Sequence, residues 1–359
     1  MIHVVKTIDA HVGGAPLRLV VEGVPRPSGQ TPGRALAQRR DWLRRHADHL
    51  RRAIVLEPRG HHDMCAAMLV DAIAPGSDAG VLFMQDDGYP ALSGHGIIAV
   101  ATIGIERELI APPGPLRENA SSAAPGLRTI VLDTIAGTVH AHARVQMRGE
   151  RRTVDSVAFV NVPAFVASGG HAVKLGTREL RVDVAYGGAF YAIVDTEAIG
   201  VPLVTSKLPE LRRLGVEIRS ALNNTNDFVH PPGPRVSGLQ GDTQIAGVSG
   251  VIFTGPPQDP EAHLRNVTVF GNGAVDRSAC ATGTSAVMAV LDAMGLIHDD
   301  QPFVHESILG TLHRGRVVRR TQVGEVAAIV SEIEGTAWIT GEHTFYIDED
   351  DPLKDGFEV

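Results

Sequence analysis

Apolar residues in this chain come mostly in short runs rich in valine and isoleucine, broken by glycine, proline and aspartate, the pattern of short β-strands joined by turns. Strands are predicted at 4–8, 17–21, 53–56, 66–70, 81–84, 128–132, 138–143, 157–160, 182–185, 190–194, 251–254, 266–270, 325–330 and 336–340. Helical periodicity is rarer. Residues 32–52 place Leu36, Leu43, His46 and Leu50 at helical spacing with arginines opposite, and the interleaved Asp41 and Asp48 mark a solvated face rather than a binding patch. Further helices are predicted from Ser93 or Gly94 to about Arg107, from about Leu203 to Asn223, and from Ala281 to near Gly295. Residues 111–126 and 231–241, rich in small residues, Pro and Gly, read as loops or linkers.

The 359 residues include 33 basic and 41 acidic side chains, a formal net charge of −8. That balance argues against nucleic acid or an anionic membrane as the main partner. Length suggests about two domains. The two cysteines, Cys65 and Cys280, form no CxxC pattern, so neither a disulfide scaffold nor a cysteine-rich zinc site is expected. Residues 1–9 read as a strand rather than a signal peptide, and no apolar run approaches the ~20 residues of a spanning helix. The expectation is a soluble, cytoplasmic protein.

One segment echoes another. Residues 93–100 (Ser-Gly-His-Gly-Ile-Ile-Ala-Val) and 280–287 (Cys-Ala-Thr-Gly-Thr-Ser-Ala-Val) align without a gap, and each sets a small nucleophilic residue before an apolar helix. Two similar half-molecules are expected, each contributing one loop-to-helix junction. A helix N-terminus offers unpaired N–H groups and partial positive charge, so it binds carboxylates and favours a thiolate. Cys280 is therefore expected to carry a raised thiolate fraction and to move a proton on a bound anion, while Cys65, inside an apolar run, reads as an inert core residue. Adjacent His61, His62 and Asp63 have no suitably spaced partner, so no metal is expected. Gly271-Asn272-Gly273 lacks the rest of a dinucleotide fingerprint, and no phosphate loop or Schiff-base lysine stands out, which leaves a cofactor-free mechanism.

The run Asp276-Arg277-Ser278-Ala279-Cys280-Ala281-Thr282-Gly283-Thr284-Ser285-Ala286 resembles the D-R-S-P-C-G-T-G-T-S-A signature of the proline racemase family. Residues 9–14 (Asp-Ala-His-Val-Gly-Gly), 57–61 (Glu-Pro-Arg-Gly-His), 93–96 and 186–191 (Tyr-Gly-Gly-Ala-Phe-Tyr) extend the resemblance along nearly the whole chain. It implies an α/β (α+β) fold of two pseudo-symmetric domains of the diaminopimelate epimerase-like type, with the active site in the cleft between them. The expected halves are 1–150 with a return at about 345–359, carrying Ser93, and 151–344, carrying Cys280. By the same resemblance, the two junction residues face opposite sides of a bound proline-type ring. Gly94 and His95 on one side, and Ala281 and Thr282 on the other, bind the substrate carboxylate, and His95 and Asp276 contact the ring nitrogen.

Two departures from the pattern matter: Ser93 stands where racemases and 4-hydroxyproline epimerases carry a second cysteine, and Ala281 replaces glycine. Relatives with the Ser and Cys pairing look like trans-3-hydroxy-L-proline dehydratases. The expectation is therefore such a dehydratase, with 4-hydroxyproline 2-epimerase or proline racemase activity as the alternative or a second activity. It takes a small hydroxyproline-like substrate and no cofactor, and a homodimer is compatible with it. A thiol hydrolase and a non-catalytic imino-acid binding protein are the competing readings from other classes.

Overall fold

The computed structural model of the protein describes residues 2–25, 36–110, 126–225, 228–231, 246–299 and 301–358. The chain divides into two units, one built from Met1–Phe159 and Thr336–Val359, the other from Val160–Pro234 and Thr243–Gly335.

In the first unit, β1 (Ile2–Val12) and β2 (Ala15–Glu22) form an antiparallel hairpin. Its two turn residues, Gly13 and Gly14, both have positive φ, the geometry that matches strand twist and that glycine adopts at least cost. Helices α1 (Leu36–His46) and α2 (Asp48–Val55) carry the chain to β3 (Cys65–Val70), parallel to β2, as a parallel pair requires a crossover. Next come β4 (Ala79–Met84), antiparallel to β3, and α3 (Gly94–Glu106). β5 (Leu127–Thr134) is parallel to β4, β6 (Gly137–Arg148) is antiparallel to β5, and β7 (Arg151–Val160) follows.

The second unit repeats that grammar. β8 (Ala164–Leu175) pairs antiparallel with β9 (Arg178–Tyr186), and β9 with β10 (Phe190–Asp195). Helices α4 (Thr196–Ile199) and α5 (Leu208–Thr225) lead to β11 (Val248–Gly255), parallel to β10, and β12 (Leu264–Phe270) returns antiparallel. The short β13 (Val275–Asp276) and helix α6 (Ala281–Ala293) precede β14 (Phe303–Ser307), parallel to β12. β15 (Leu312–Val323) and β16 (Val326–Gly335) continue antiparallel, and β17 (Ala337–Asp348) rejoins the first unit beside β1. The pairings from β1 to β6 and from β9 through β12 to β15 thus run antiparallel, parallel, antiparallel, parallel, antiparallel in both, with α3 and α6 at corresponding places. This is the expected α/β architecture of two similarly built halves.

Each unit has its own core. Leu36, Leu43, Leu50 and Ile54 cover Val5, Met68 and Leu82 in the first; Leu211, Ile218 and Leu222 of α5 cover Val251, Phe253 and Val269 in the second. α3 lies against β1, β2, β3, β6 and β17, and is buried nearly all round, as its unbroken apolar run requires. No helix among the described residues is long and apolar enough to cross a membrane.

Three sequence expectations need correction. Residues 53–56 are not a strand: 53–55 end α2, where Leu50, Ala53, Ile54 and Val55 share burial and Arg51 closes an ion pair one turn back on Asp48, at 2.7 Å. The helix expected over 32–52 is two helices divided at Ala47, and its start lies outside the described residues, as do most of the two loop segments. β8, β13, β14 and β15 have no counterpart among the predicted strands. β8 contains Gly169 and Gly170 and bulges there, and β15 carries four arginines, so neither looks like an apolar run.

Candidate active site

In the first unit, the chain leaves β4, turns, and enters α3 at Ser93. Ser93 has extended backbone angles and its hydroxyl accepts a hydrogen bond from Gly96 N–H at 3.2 Å, the arrangement of an N-cap. Ser93, Gly94 and His95 are all buried. A Cβ on Gly96 would come within 2.4 Å of the Phe83 ring and 2.9 Å of Ser93 Oγ, so this helix start closes on its neighbours only with glycine. Two quoted motifs prove structural. Arg18 holds Asp9 at 2.7 Å and donates to the carbonyls of Ile54 and Arg59, tying the 9–14 and 57–61 segments together at a buried, multiply bonded ion pair.

In the second unit, Asp276, Cys280, Ala281 and Thr282 gather at the start of α6. Asp276 sits in β13 opposite Thr268 of β12. Its Oδ1 accepts from Ser278 N at 2.9 Å and Ser278 Oγ at 2.7 Å, and Ser278 Oγ accepts from Cys280 N at 3.2 Å. Cys280 has φ 52° and ψ 91°, a left-handed conformation uncommon outside glycine and one that tends to cluster at working sites. A Cβ on Gly283 would lie 2.8 Å from Cys280 Sγ. Glycine there makes room for the thiol.

The lowered thiol value expected from the helix N-terminus is not found. Burial pushes the Cys280 thiol up to about 12 and the Asp276 carboxylate adds to the rise, while the Thr268 hydroxyl and the Gly283 N–H pull it down. Desolvation outweighs the helix end because the thiol is enclosed, and the unbonded N–H groups act only over the first turn. Cys280 is therefore a neutral thiol at pH 7 in the protein by itself.

Residues that sequence reasoning did not single out hold this junction. Tyr191, at the end of the Tyr-Gly-Gly-Ala-Phe-Tyr segment, hydrogen-bonds Thr282 Oγ1 at 2.8 Å, with both hydroxyls buried. Gly187 of the same segment presses on the first turn of α6, where a Cβ would meet Thr282 O at 2.2 Å. Asn161 donates to Gly187 O at 2.7 Å and to Ser285 Oγ at 2.8 Å. Below, Thr284 donates to Ala279 O at 2.9 Å and sits 2.8 Å from His305 Nδ1, so that ring nitrogen is the donor to Thr284. The quoted motif was the one available signal for Tyr191 and Gly187; Asn161 and His305 had none.

Burial, with the neighbouring His313 adding to it, lowers His305 to about 3. The unfolded chain takes up a proton near 6.5 and the folded one does not, so stability falls as pH drops from about 6.5 toward 3, by up to about 1.4 kcal/mol per pH unit from this group. Urea unfolding between pH 7.5 and 4.5 is expected to show this slope, and His305→Gln is expected to flatten it. Equal slopes in both proteins would remove His305 as the cause.

Among the described residues no group of three His, Cys, Asp or Glu is placed to hold a metal ion. The family profile described as proline racemase matches residues 7–358. The chain belongs to the proline racemase family. It is 37% identical to the trans-3-hydroxy-L-proline dehydratase of Bacillus cereus, over 98% of this chain and 97% of that one. It is also 37% identical to the proline racemase of Acetoanaerobium sticklandii, over 99% and 98%. A crystal structure of a hydroxyproline epimerase from Agrobacterium vitis, with bound trans-4-hydroxy-L-proline, matches with a TM-score of 0.82 and 29% identity, covering 99% of this chain and 95% of that one. Members of one family with similar identity to this chain thus carry different names, so the choice among activities rests on the junction residues.

Proposed function

We propose that this protein is a cofactor-independent trans-3-hydroxy-L-proline dehydratase, with Cys280 as the group that moves the α-proton and Asp276, His95, Gly94, Ala281 and Thr282 as substrate-binding residues. The observation that carries the reading is the unequal pair of junctions, a hydroxyl at Ser93 and a thiol at Cys280, each directly before a helix N-terminus. Inverting a carbon needs a competent acid or base on both ring faces. Eliminating water from trans-3-hydroxy-L-proline does not, because its α-hydrogen and hydroxyl lie on one face.

The steps follow from the residues. A carboxylate laid against a helix N-terminus faces unbonded N–H groups, which stabilise the charge that grows on it as the α-proton leaves. The imino acid's nitrogen is a cation, and placed at Asp276 it offsets the carboxylate that helps to hold the Cys280 thiol up. Substrate binding thus lowers the cost of the thiolate, the thiol's proton passing to solvent, where the empty site keeps the thiol neutral. The thiolate takes the α-proton, and the resulting thiol returns it to the departing C3 hydroxyl. Water leaves, and the enamine rearranges to 1-pyrroline-2-carboxylate.

NMR in deuterated water, with trans-3-hydroxy-L-proline and trans-4-hydroxy-L-proline in parallel, tests this. Loss of the first with formation of the pyrroline is the expected result, and Ser93→Cys is expected to raise inversion relative to dehydration. A wild type that inverts and deuterates the 4-hydroxy isomer while leaving the 3-hydroxy isomer intact is instead a 4-hydroxyproline 2-epimerase.

A further inference from the structure

The second cysteine lies beside the junction that lacks one. Cys65 opens β3, opposite Leu17 of β2, and is 2% exposed. Its burial agrees with a core residue, but its thiol does not end in a purely apolar contact: Sγ lies 3.9 Å from Ser93 Oγ. The thiol's other polar neighbour, at 3.8 Å, is the carbonyl of Ala66, in a strand already paired on both sides.

A hydroxyl accepts two hydrogen bonds and donates one. Gly96 N–H occupies one acceptor position of Ser93 at 3.2 Å, and the Cys65 S–H is placed to occupy the other. With both filled, the hydroxyl's own proton is directed away from these two partners. We propose that Cys65 is a positioning residue for Ser93, which orients the serine proton outward and replaces it when it is given up. The inference rests on the two-junction reading, in which the family resemblance sets Ser93 and Cys280 on opposite sides of the bound ring.

The proton balance closes without a further reactant. Cys280 thiolate takes the α-proton from one face, and the C–H electron pair stays on the substrate. The Ser93 O–H bond breaks as its proton goes to the α-carbon from the other face. Ser93 Oγ then takes the Cys65 proton, and the electron pair of the S–H bond remains on Cys65 sulfur. Cys280 ends as the thiol, Cys65 as the thiolate, and exchange with water resets both. A serine is a poor acid by itself, and a thiol behind it supplies what it lacks. The pair gives this chain an inverting activity on hydroxyprolines without the 3-hydroxyl, secondary to dehydration, which uses Cys280 alone.

Because the two reactions differ in their need for Ser93, they separate a proton-handling role from a packing role. Wild type, Cys65→Val and Cys65→Ser are compared by NMR in deuterated water on trans-4-hydroxy-L-proline and trans-3-hydroxy-L-proline. The expected result is inversion of the 4-hydroxy isomer by wild type. Its kcat falls severalfold, up to about tenfold, in Cys65→Val with KM little changed, on the scale of one lost hydrogen bond. It recovers in part in Cys65→Ser, whose hydroxyl also donates and so restores the orientation but is the weaker acid, and dehydration of the 3-hydroxy isomer stays near the wild-type rate in both variants. Wild-type inversion that survives in Cys65→Val overturns the proposal, as does a parallel loss of both reactions, or Cys65→Ser failing as Cys65→Val does. A wild type that dehydrates but never inverts overturns it while leaving the dehydratase standing. One that inverts through Cys65 without dehydrating supports it and sinks the dehydratase.

Discussion

Cys280→Ser is expected to lower turnover of trans-3-hydroxy-L-proline by about a thousandfold, within the range that one positioned proton-transfer group contributes. Serine keeps the shape and loses the acidity, so KM should change far less than kcat. The variant also isolates the thiol from its surroundings: Gly283 leaves a space sized to the sulfur, and the smaller oxygen enters it without strain. A variant retaining a tenth or more of the wild-type kcat would mean that the α-proton leaves by another route. Far-ultraviolet circular dichroism and the melting temperature, unchanged, would show that the loss is chemical.

Asp276→Asn has the second largest expected effect, and its two readouts move in opposite senses. The carboxylate is one of the causes that raise the Cys280 thiol, so its removal brings the thiol down from about 12. Burial, the larger cause, remains, and keeps it above the ordinary 9.0. Titration of thiolate absorbance near 240 nm, with Cys280→Ser as the blank, is expected to show the midpoint moving to lower pH. Turnover nevertheless falls, because the cationic ring nitrogen loses its counter-charge. Truncating one member of a buried charge pair costs about 2–5 kcal/mol, or about 30- to 5,000-fold in kcat/KM. A more ionised thiol with undiminished kcat/KM would detach Asp276 from the substrate and leave it as a brake on the thiol alone.

Much of the site was written locally. Ser93 and Cys280 each precede a helical run, and the echo between 93–100 and 280–287 foretold the repeated strand pairing that both units display. What escaped was whatever depends on distant segments meeting. Thr282 and Tyr191 are 91 residues apart, Cys65 and Ser93 are 28 apart, and neither pair leaves a periodic trace in the chain. The direction of the thiol shift was misread for the same reason. A helix terminus is visible in six residues of sequence, but the desolvation that overrides it comes from β-strands assembled around Cys280. The charged strand β15 was invisible because its polar residues mask the few inward ones.

At each junction a glycine stands three residues after the side chain that precedes the helix, Gly96 after Ser93 and Gly283 after Cys280, and in both a methyl group would come within 3 Å of that side chain's oxygen or sulfur. The two halves therefore share a vacancy rather than a functional group. Such a scaffold can exchange oxygen for sulfur by one codon at either position, whereas the first added carbon at the glycine closes the hole at once. Divergence of chemistry within this architecture is thus cheap at the residue before the helix and forbidden at the glycine three places on, so libraries aimed at new reactions are best spent on positions 93 and 280 with 96 and 283 left untouched.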